Sequence, residues 1–328
     1  MRVGLLLAAA VLLLLAGCVT RLVPPGPPIM QPTDTEGAFV MPDGARLPYR
    51  AWLPAGEPTA VVLALHGMND SRDAFEYSAP DFSAAGLAMF APDQRGFGAT
   101  DSRGYWPGKD GLVADARAMA GLLRARYPHA RLILMGESMG AAVLMLAATS
   151  DAPPPADGYV LIAPAVWGRA KMNVFLRGML WAAANTVPGW RVTGQGFVKI
   201  MASDNRQALI RLSTDPLTIH GARMDAIRGL VDLMDAALAA APSFNAPALW
   251  LYGGKDQLVP KRATAATWRA LPRGPVRAFY PGGYHLLLRD LHRSEPIGDI
   301  VTWIAHPDWG GLVSGADREA GAWLAAQP

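Results

Sequence analysis

Leu132-Ile133-Leu134-Met135-Gly136-Glu137-Ser138-Met139-Gly140-Ala141-Ala142-Val143-Leu144-Met145-Leu146-Ala147-Ala148 is the stretch that decides the fold. Its first four residues form an apolar run of strand type, and the residues from Ala141 to Ala148 favour a helix. Between them lies Gly-x-Ser-x-Gly. The flanking glycines permit a turn too tight for side chains at those positions, so the Ser138 hydroxyl projects at the carboxyl edge of a sheet beside a helix N-terminus. A serine held there can attack an acyl carbonyl.

Outward from this turn the pattern alternates between strand and helix. Strand-like runs at Ala38 to Met41 and Leu47 to Leu53, joined by Asp43-Gly44, read as a hairpin. Ala60 to Leu65 reads as a buried strand. Leu87 to Ala91, a helix at Asp115 to Tyr127, the Ser138 unit and a strand at Tyr159 to Ile162 then read as βαβ units of a mostly parallel sheet. Strands at Ala248 to Tyr252 and Val276 to Phe279, with helices at Arg262 to Leu271 and Ile297 to Ile304, complete it. From Ala163 to Pro242 no strand is expected. Helical spacing at Lys171 to Asn185, Asp204 to Leu212 and Ala222 to Ala241 predicts an insertion over the carboxyl edge of the sheet. The first of these helices carries Met172, Phe175, Leu176, Met179, Leu180 and Trp181, a stripe suited to core packing or to an acyl-binding groove. The tail from His306 holds a short alanine-rich helix candidate with no assigned role.

The chain has 328 residues, 51% hydrophobic and 17% charged, with a net charge of +3. That composition supports a large core and excludes a mainly disordered chain. No Lys/Arg stripe with interleaved aromatics marks a nucleic-acid partner. The six histidines are scattered and the chain has a single cysteine, so no metal-ligand cluster is read. With neither a dinucleotide glycine fingerprint nor a P-loop, no cofactor is implied.

The N-terminus reads as an export signal: Arg2, the apolar run Val3 to Ala16, then Leu15-Ala16-Gly17-Cys18. The run falls short of the about 20 residues needed to span a bilayer. Cys18 stands where a bacterial lipoprotein signal, which this stretch resembles, places its acylated residue, making residues 1–17 the signal and Cys18 the mature N-terminus anchored in a membrane. Val19 after the cysteine is similar to the pattern of outer-membrane lipoproteins. An ordinary secretory signal with an inert cysteine is the alternative. Residues 18–36 are expected to be a tether, because Val23 to Pro32 holds five prolines and one glycine and reads as an extended spacer outside the core.

An activated serine needs a base, and the base an orienting carboxylate. Asp256, in Tyr252-Gly253-Gly254-Lys255-Asp256, and His285, in Gly282-Gly283-Tyr284-His285, each follow a strand and come in the order serine, acid, histidine. His66 precedes Gly67 in a loop after the third strand and is a rival base, whereas His129, His220, His292 and His306 lack a glycine loop after a strand. Asp93, Asp101 and Asp232 are rival acids, and Asp93 precedes the serine, where its expected task is to stabilise its own loop. The oxyanion needs fixed donors, and the backbone N–H groups of Met68, after His66-Gly67, and of Met139 are the candidates.

Together, His66-Gly67-Met68, Pro92-Asp93-Gln94-Arg95-Gly96-Phe97-Gly98, Gly136-Glu137-Ser138-Met139-Gly140 and the Asp256 and His285 loops resemble the monoacylglycerol lipase and lysophospholipase branch of the α/β-hydrolases, of the serine aminopeptidase type. The resemblance covers about Gly37 to Ile304. It implies an α/β-hydrolase fold with core segments at 37–164 and 243–305, a helical cap at 165–242 and a tail at 306–328. It also implies Ser138 as nucleophile, Asp256 as acid, His285 as base, Met68 and Met139 as oxyanion donors, and a small acyl ester as substrate. Family members often carry histidines at the positions of Gln94 and Phe97, a departure that leaves the catalytic roles intact. An amidase or peptidase, and a non-catalytic lipid-binding lipoprotein, are the competing functions.

Overall fold

A computed structural model of the chain describes residues 20–193, 200–306 and 311–327. The signal run and Cys18 lie outside the described residues. The strands are β1 (Thr33–Thr35), β2 (Ala38–Val40), β3 (Arg46–Trp52), β4 (Ala60–Leu65), β5 (Leu87–Pro92), β6 (Arg131–Glu137), β7 (Gly158–Ile162), β8 (Arg191–Thr193), β9 (Gly221–Arg223), β10 (Ala248–Gly253) and β11 (Val276–Tyr280). The α-helices are α1 (Ala79–Ala84), α2 (Lys109–Arg126), α3 (Met139–Ala148), α4 (Val174–Thr186), α5 (Arg206–Thr214), α6 (Met224–Ala240), α7 (Lys261–Ala270), α8 (Ser294–Ala305) and α9 (Ala316–Ala325).

Nine strands form one sheet in the order β1-β2-β3-β5-β4-β6-β7-β10-β11. It is parallel from β5 to β11 and antiparallel among β1, β2, β3 and β5. The apolar runs read as continuous because each central strand is covered on both faces. In β4, Val61, Leu63 and Leu65 point into one core with Met119, Leu144 and Trp268, while Ala60, Val62 and Ala64 point into the other with Phe82, Ile300 and Trp303. After β4 the chain adds β5 on one side and then crosses to place β6 on the other. The loops leaving β4 and β6 therefore diverge and open a crevice at the strands' carboxyl ends, where open α/β sheets bind ligands.

Three features differ from the expectations. The proline-rich leader is extended but lies along the body instead of standing off it. The Arg21 N–H donates to Asp225 (3.1 Å), Val23 N–H to the Trp106 carbonyl (3.0 Å), Gly26 N–H to Asp43 (2.9 Å) and Ile29 N–H to the Pro42 carbonyl (2.8 Å), and β1 follows directly. Prolines leave this ribbon few N–H groups to satisfy, and these four find acceptors far away in sequence. Second, the insertion contains the antiparallel pair β8–β9, each only three residues long and without an apolar run to announce it. Its last helix, α6, joins the body: Val231, Leu233 and Ala237 enter the main core, and Gly229 comes so close to Trp106 that a Cβ would lie 2.3 Å from the indole nitrogen. Third, the tail is structural. Trp323 of α9 stacks on Phe279, with centroids 4.8 Å apart, and meets Trp268 edge-on.

Candidate active site

Ser138 caps the N-terminus of α3 with φ +54° and ψ −110°. A non-glycine residue in such a region costs about 1–3 kcal/mol unless its surroundings hold it there. Here the Ser138 N–H donates to the Ile162 carbonyl (2.9 Å), and its own carbonyl accepts from Ala165 (3.0 Å) and Ala142 (3.1 Å). The strain thus sits on the serine itself. The flanking glycines serve close approach: a Cβ on Gly136 would lie 2.5 Å from the Ala141 nitrogen, and one on Gly140 2.2 Å from the Leu65 carbonyl oxygen.

The glycine doublets before Asp256 and His285 bring those two loops into backbone contact. A Cβ on Gly253 would meet the Gly283 and Tyr284 carbonyls at 2.5 Å. In its absence Gly254 N–H donates to the Tyr280 carbonyl and Lys255 N–H to that of Gly283, both at 2.8 Å. His285 Nδ1 donates to Asp256 Oδ2 (2.8 Å), while Asp256 Oδ1 accepts from the N–H groups of Leu258 (2.7 Å) and Val259 (2.9 Å). That carboxylate is fully engaged and orients the imidazole. Burial disfavours the charged ring, but the charge of Asp256 and its hydrogen bond outweigh burial, so the pKa of His285 is raised above its ordinary value.

Ser138 and His285 line one cavity of about 590 Å³ together with Gly67 and Met68. The loop after β4 approaches the serine so closely that a Cβ on Gly67 would lie 3.4 Å from Ser138 Cβ. The Met139 N–H opens α3 and has no intrahelical acceptor. Met172, Leu176 and Leu180 from the α4 region, and Leu230, Val231 and Met234 of α6, supply the apolar wall.

Two of the rivals, His66 and Asp93, are used elsewhere. His66 is buried, with Nδ1 donating to the Gly67 carbonyl (2.7 Å) and Nε2 accepting from the Gln94 N–H (3.1 Å). The Gln94 side-chain amide closes the same bracket onto the His66 carbonyl (2.7 Å). Asp93 accepts from the N–H groups of Arg72 (2.7 Å) and Ala99 (2.8 Å), which ties down its own loop as expected. Among the described residues no group of three or more His, Cys, Asp or Glu could hold a metal ion.

Sequence reasoning passed over Glu137, Asp70 and Arg289. Glu137 is 1% exposed, and both of its carboxylate oxygens lack a hydrogen-bond partner. Burial pushes its pKa up to about 7, against the pull of Arg289. A carboxylate ending an otherwise apolar strand was the available signal.

Residues 56–292 match the family model described as serine aminopeptidase, S33. The monoacylglycerol lipase of Mycolicibacterium smegmatis is 26% identical over 275 residues, covering 83% of this chain and 97% of that protein. The rat monoglyceride lipase is 25% identical, over 80% of this chain and 88% of its own length. A soluble variant of the Saccharomyces cerevisiae monoglyceride lipase, solved with a substrate analogue, superposes with a TM-score of 0.68 at 20% identity, covering 87% of this chain and 97% of that one. The chain therefore belongs to the serine aminopeptidase S33 family and is a monoacylglycerol lipase-like serine hydrolase of the α/β-hydrolase fold.

Proposed function

We propose that the protein hydrolyses single-chain acyl esters, of the monoacylglycerol or lysophospholipid type, through an acyl-enzyme on Ser138. The observation that carries this reading is the apolar cavity, whose wall of methionine and leucine meets the Ser138 and His285 side chains. His285 takes the Ser138 proton, Ser138 attacks the ester carbonyl, and the N–H groups of Met68 and Met139 hold the oxyanion. His285 then protonates the leaving alcohol. Water repeats the route to release the fatty acid, and Asp256 keeps the imidazole in the useful tautomer throughout. Similarity to the two lipases supports the substrate class.

The proposal includes attachment to a membrane through acylated Cys18. The docked leader leaves only Val19 and Thr20 between Cys18 and Arg21, which is bonded to Asp225 at the start of α6. A lipid on Cys18 would hold the body against the bilayer, close to the cap. The cap helix α4 exposes Phe175 (75%) and Trp181 (70%), and residues 158–203 contain no aspartate or glutamate. Such a surface is compatible with anionic lipid.

Hydrolysis of p-nitrophenyl esters and monoacylglycerols by wild type and Ser138→Ala tests the chemistry. Equal turnover by both proteins would sink it. Amide cleavage is the second reading, favoured by the aminopeptidase description of the family. Faster turnover of an aminoacyl p-nitroanilide than of any ester would establish it in place of the first. Mass spectrometry of the mature N-terminus should find an acylated Cys18, and an unmodified N-terminus elsewhere would remove the anchor.

A further inference from the structure

Resting on the roles given to Ser138 and His285, we propose that Glu137 is a positioning residue whose carboxylate charge stabilises the His285 imidazolium formed when Ser138 gives up its proton. Glu137 ends β6, directly before the nucleophile, and lines the same cavity as His285. Its carboxylate is buried with neither oxygen hydrogen-bonded among the described residues. A buried acid in that state is costly, and structure alone gives it no bond to make.

The nearest cation is shared and gives Glu137 no hydrogen bond. Arg289 Nη2 lies 3.9 Å from Glu137 Oε1, beyond hydrogen-bond reach. The same guanidinium is bonded to Asp70, and its Nε donates to the Ala74 carbonyl (2.8 Å). Asp70 and Glu137 share the single guanidinium of Arg289, so the two carboxylates leave one negative charge in excess of it at the cavity that His285 also lines. The groups acting on Glu137 are Arg289 and Asp290 from the turn after His285, Asp70 from the loop after β4, and His285 itself. Asp290 is occupied by the Ser203 hydroxyl (2.6 Å) and the Tyr284 N–H (2.8 Å). Of the charges acting on His285, Asp256 and Glu137 favour its protonated form and Arg289 opposes it.

The charge has two linked consequences. Ionised Glu137 raises the pKa of His285, and it stabilises by a similar amount the transition state in which the ring is positive. Each unit by which the His285 midpoint falls on removing the charge should therefore accompany at most about a tenfold loss of the high-pH plateau of kcat/KM. Because Glu137 itself ionises near neutrality, the two groups titrate as a pair.

The test is the pH profile of kcat/KM for a p-nitrophenyl ester, measured on wild type and Glu137→Gln, which preserves shape. The proposal expects the variant to show a lower plateau and a lower midpoint together, and wild type to rise in two steps where the variant rises in one. A lowered plateau with an unmoved midpoint would assign Glu137 a purely structural role and overturn the proposal. So would unchanged kinetics. Should Glu137→Gln not fold, the wild-type rate of fluorophosphonate labelling against pH decides: two ionisations support the proposal and a single one overturns it. Loss of labelling in Ser138→Ala with labelling intact in wild type shows the underlying assignment holding, whatever Glu137 does.

Discussion

Replacing Glu137 by glutamine should stabilise the protein, and more so at pH 8 than at pH 5. The carboxyl ionises near its ordinary 4.5 when the chain is unfolded and near 7 when folded. Between those values the folded state keeps a proton that the unfolded state has lost, so stability falls as pH rises through the window and levels off above it. The separation of 2.5 units, 7 minus 4.5, corresponds to about 3 kcal/mol in full. Little of that is felt at pH 5 and nearly all at pH 8, a difference of about 2 kcal/mol between the two conditions. Glutamine fills the same space and never ionises. Urea unfolding of both proteins at pH 5 and pH 8, with matching m-values, isolates the effect, since background pH dependence is shared. His285, whose raised pKa also makes stability decline with rising pH, remains in both proteins and contributes somewhat less in the variant. An equal stability difference at the two pH values would refute the reasoning. The expected result is a more stable and slower enzyme, as at sites where function holds a charge against the interest of the fold.

Asp256→Asn should keep the geometry and lower kcat by about 10⁴ through the wrong imidazole tautomer, with KM little changed, as steady-state kinetics would show. Leu180→Trp narrows the cavity, so kcat/KM should fall for dodecanoyl esters and hold for butyryl esters across a chain-length series. Trp323→Ala empties the stack on Phe279 and Trp268 and should destabilise by about 3–5 kcal/mol in chemical denaturation, showing that the C-terminal helix belongs to the core.

The parallel sheet was legible because strands covered on both faces must be apolar at every position, a signal that survives without knowledge of their partners. Ser138, Asp256 and His285 were legible as loop residues following such strands, and the structure adds the His285–Asp256 hydrogen bond. The leader was misread because its composition speaks of chain stiffness, whereas its acceptors on Trp106, Asp43 and Asp225 lie far along the chain. The β8–β9 pair is too short to generate a period. Gly136 was legible as part of a turn too tight for side chains, since a Cβ there would meet Gly140 and Ala141 of the same turn, whereas the Leu65 carbonyl that Gly140 approaches is brought close only by the assembled fold. The state of Glu137 is not legible in its motif, since it depends on Arg289 being shared with Asp70, 219 residues away from that arginine in sequence.

The central claim is that Ser138 carries the acyl group. Intact-mass analysis with peptide mapping after acid quench of the enzyme turning over p-nitrophenyl dodecanoate tests it most directly. The account predicts one dodecanoyl group on Ser138 during turnover, absent from Ser138→Ala. An acyl group on another residue, or full turnover by Ser138→Ala, would contradict it.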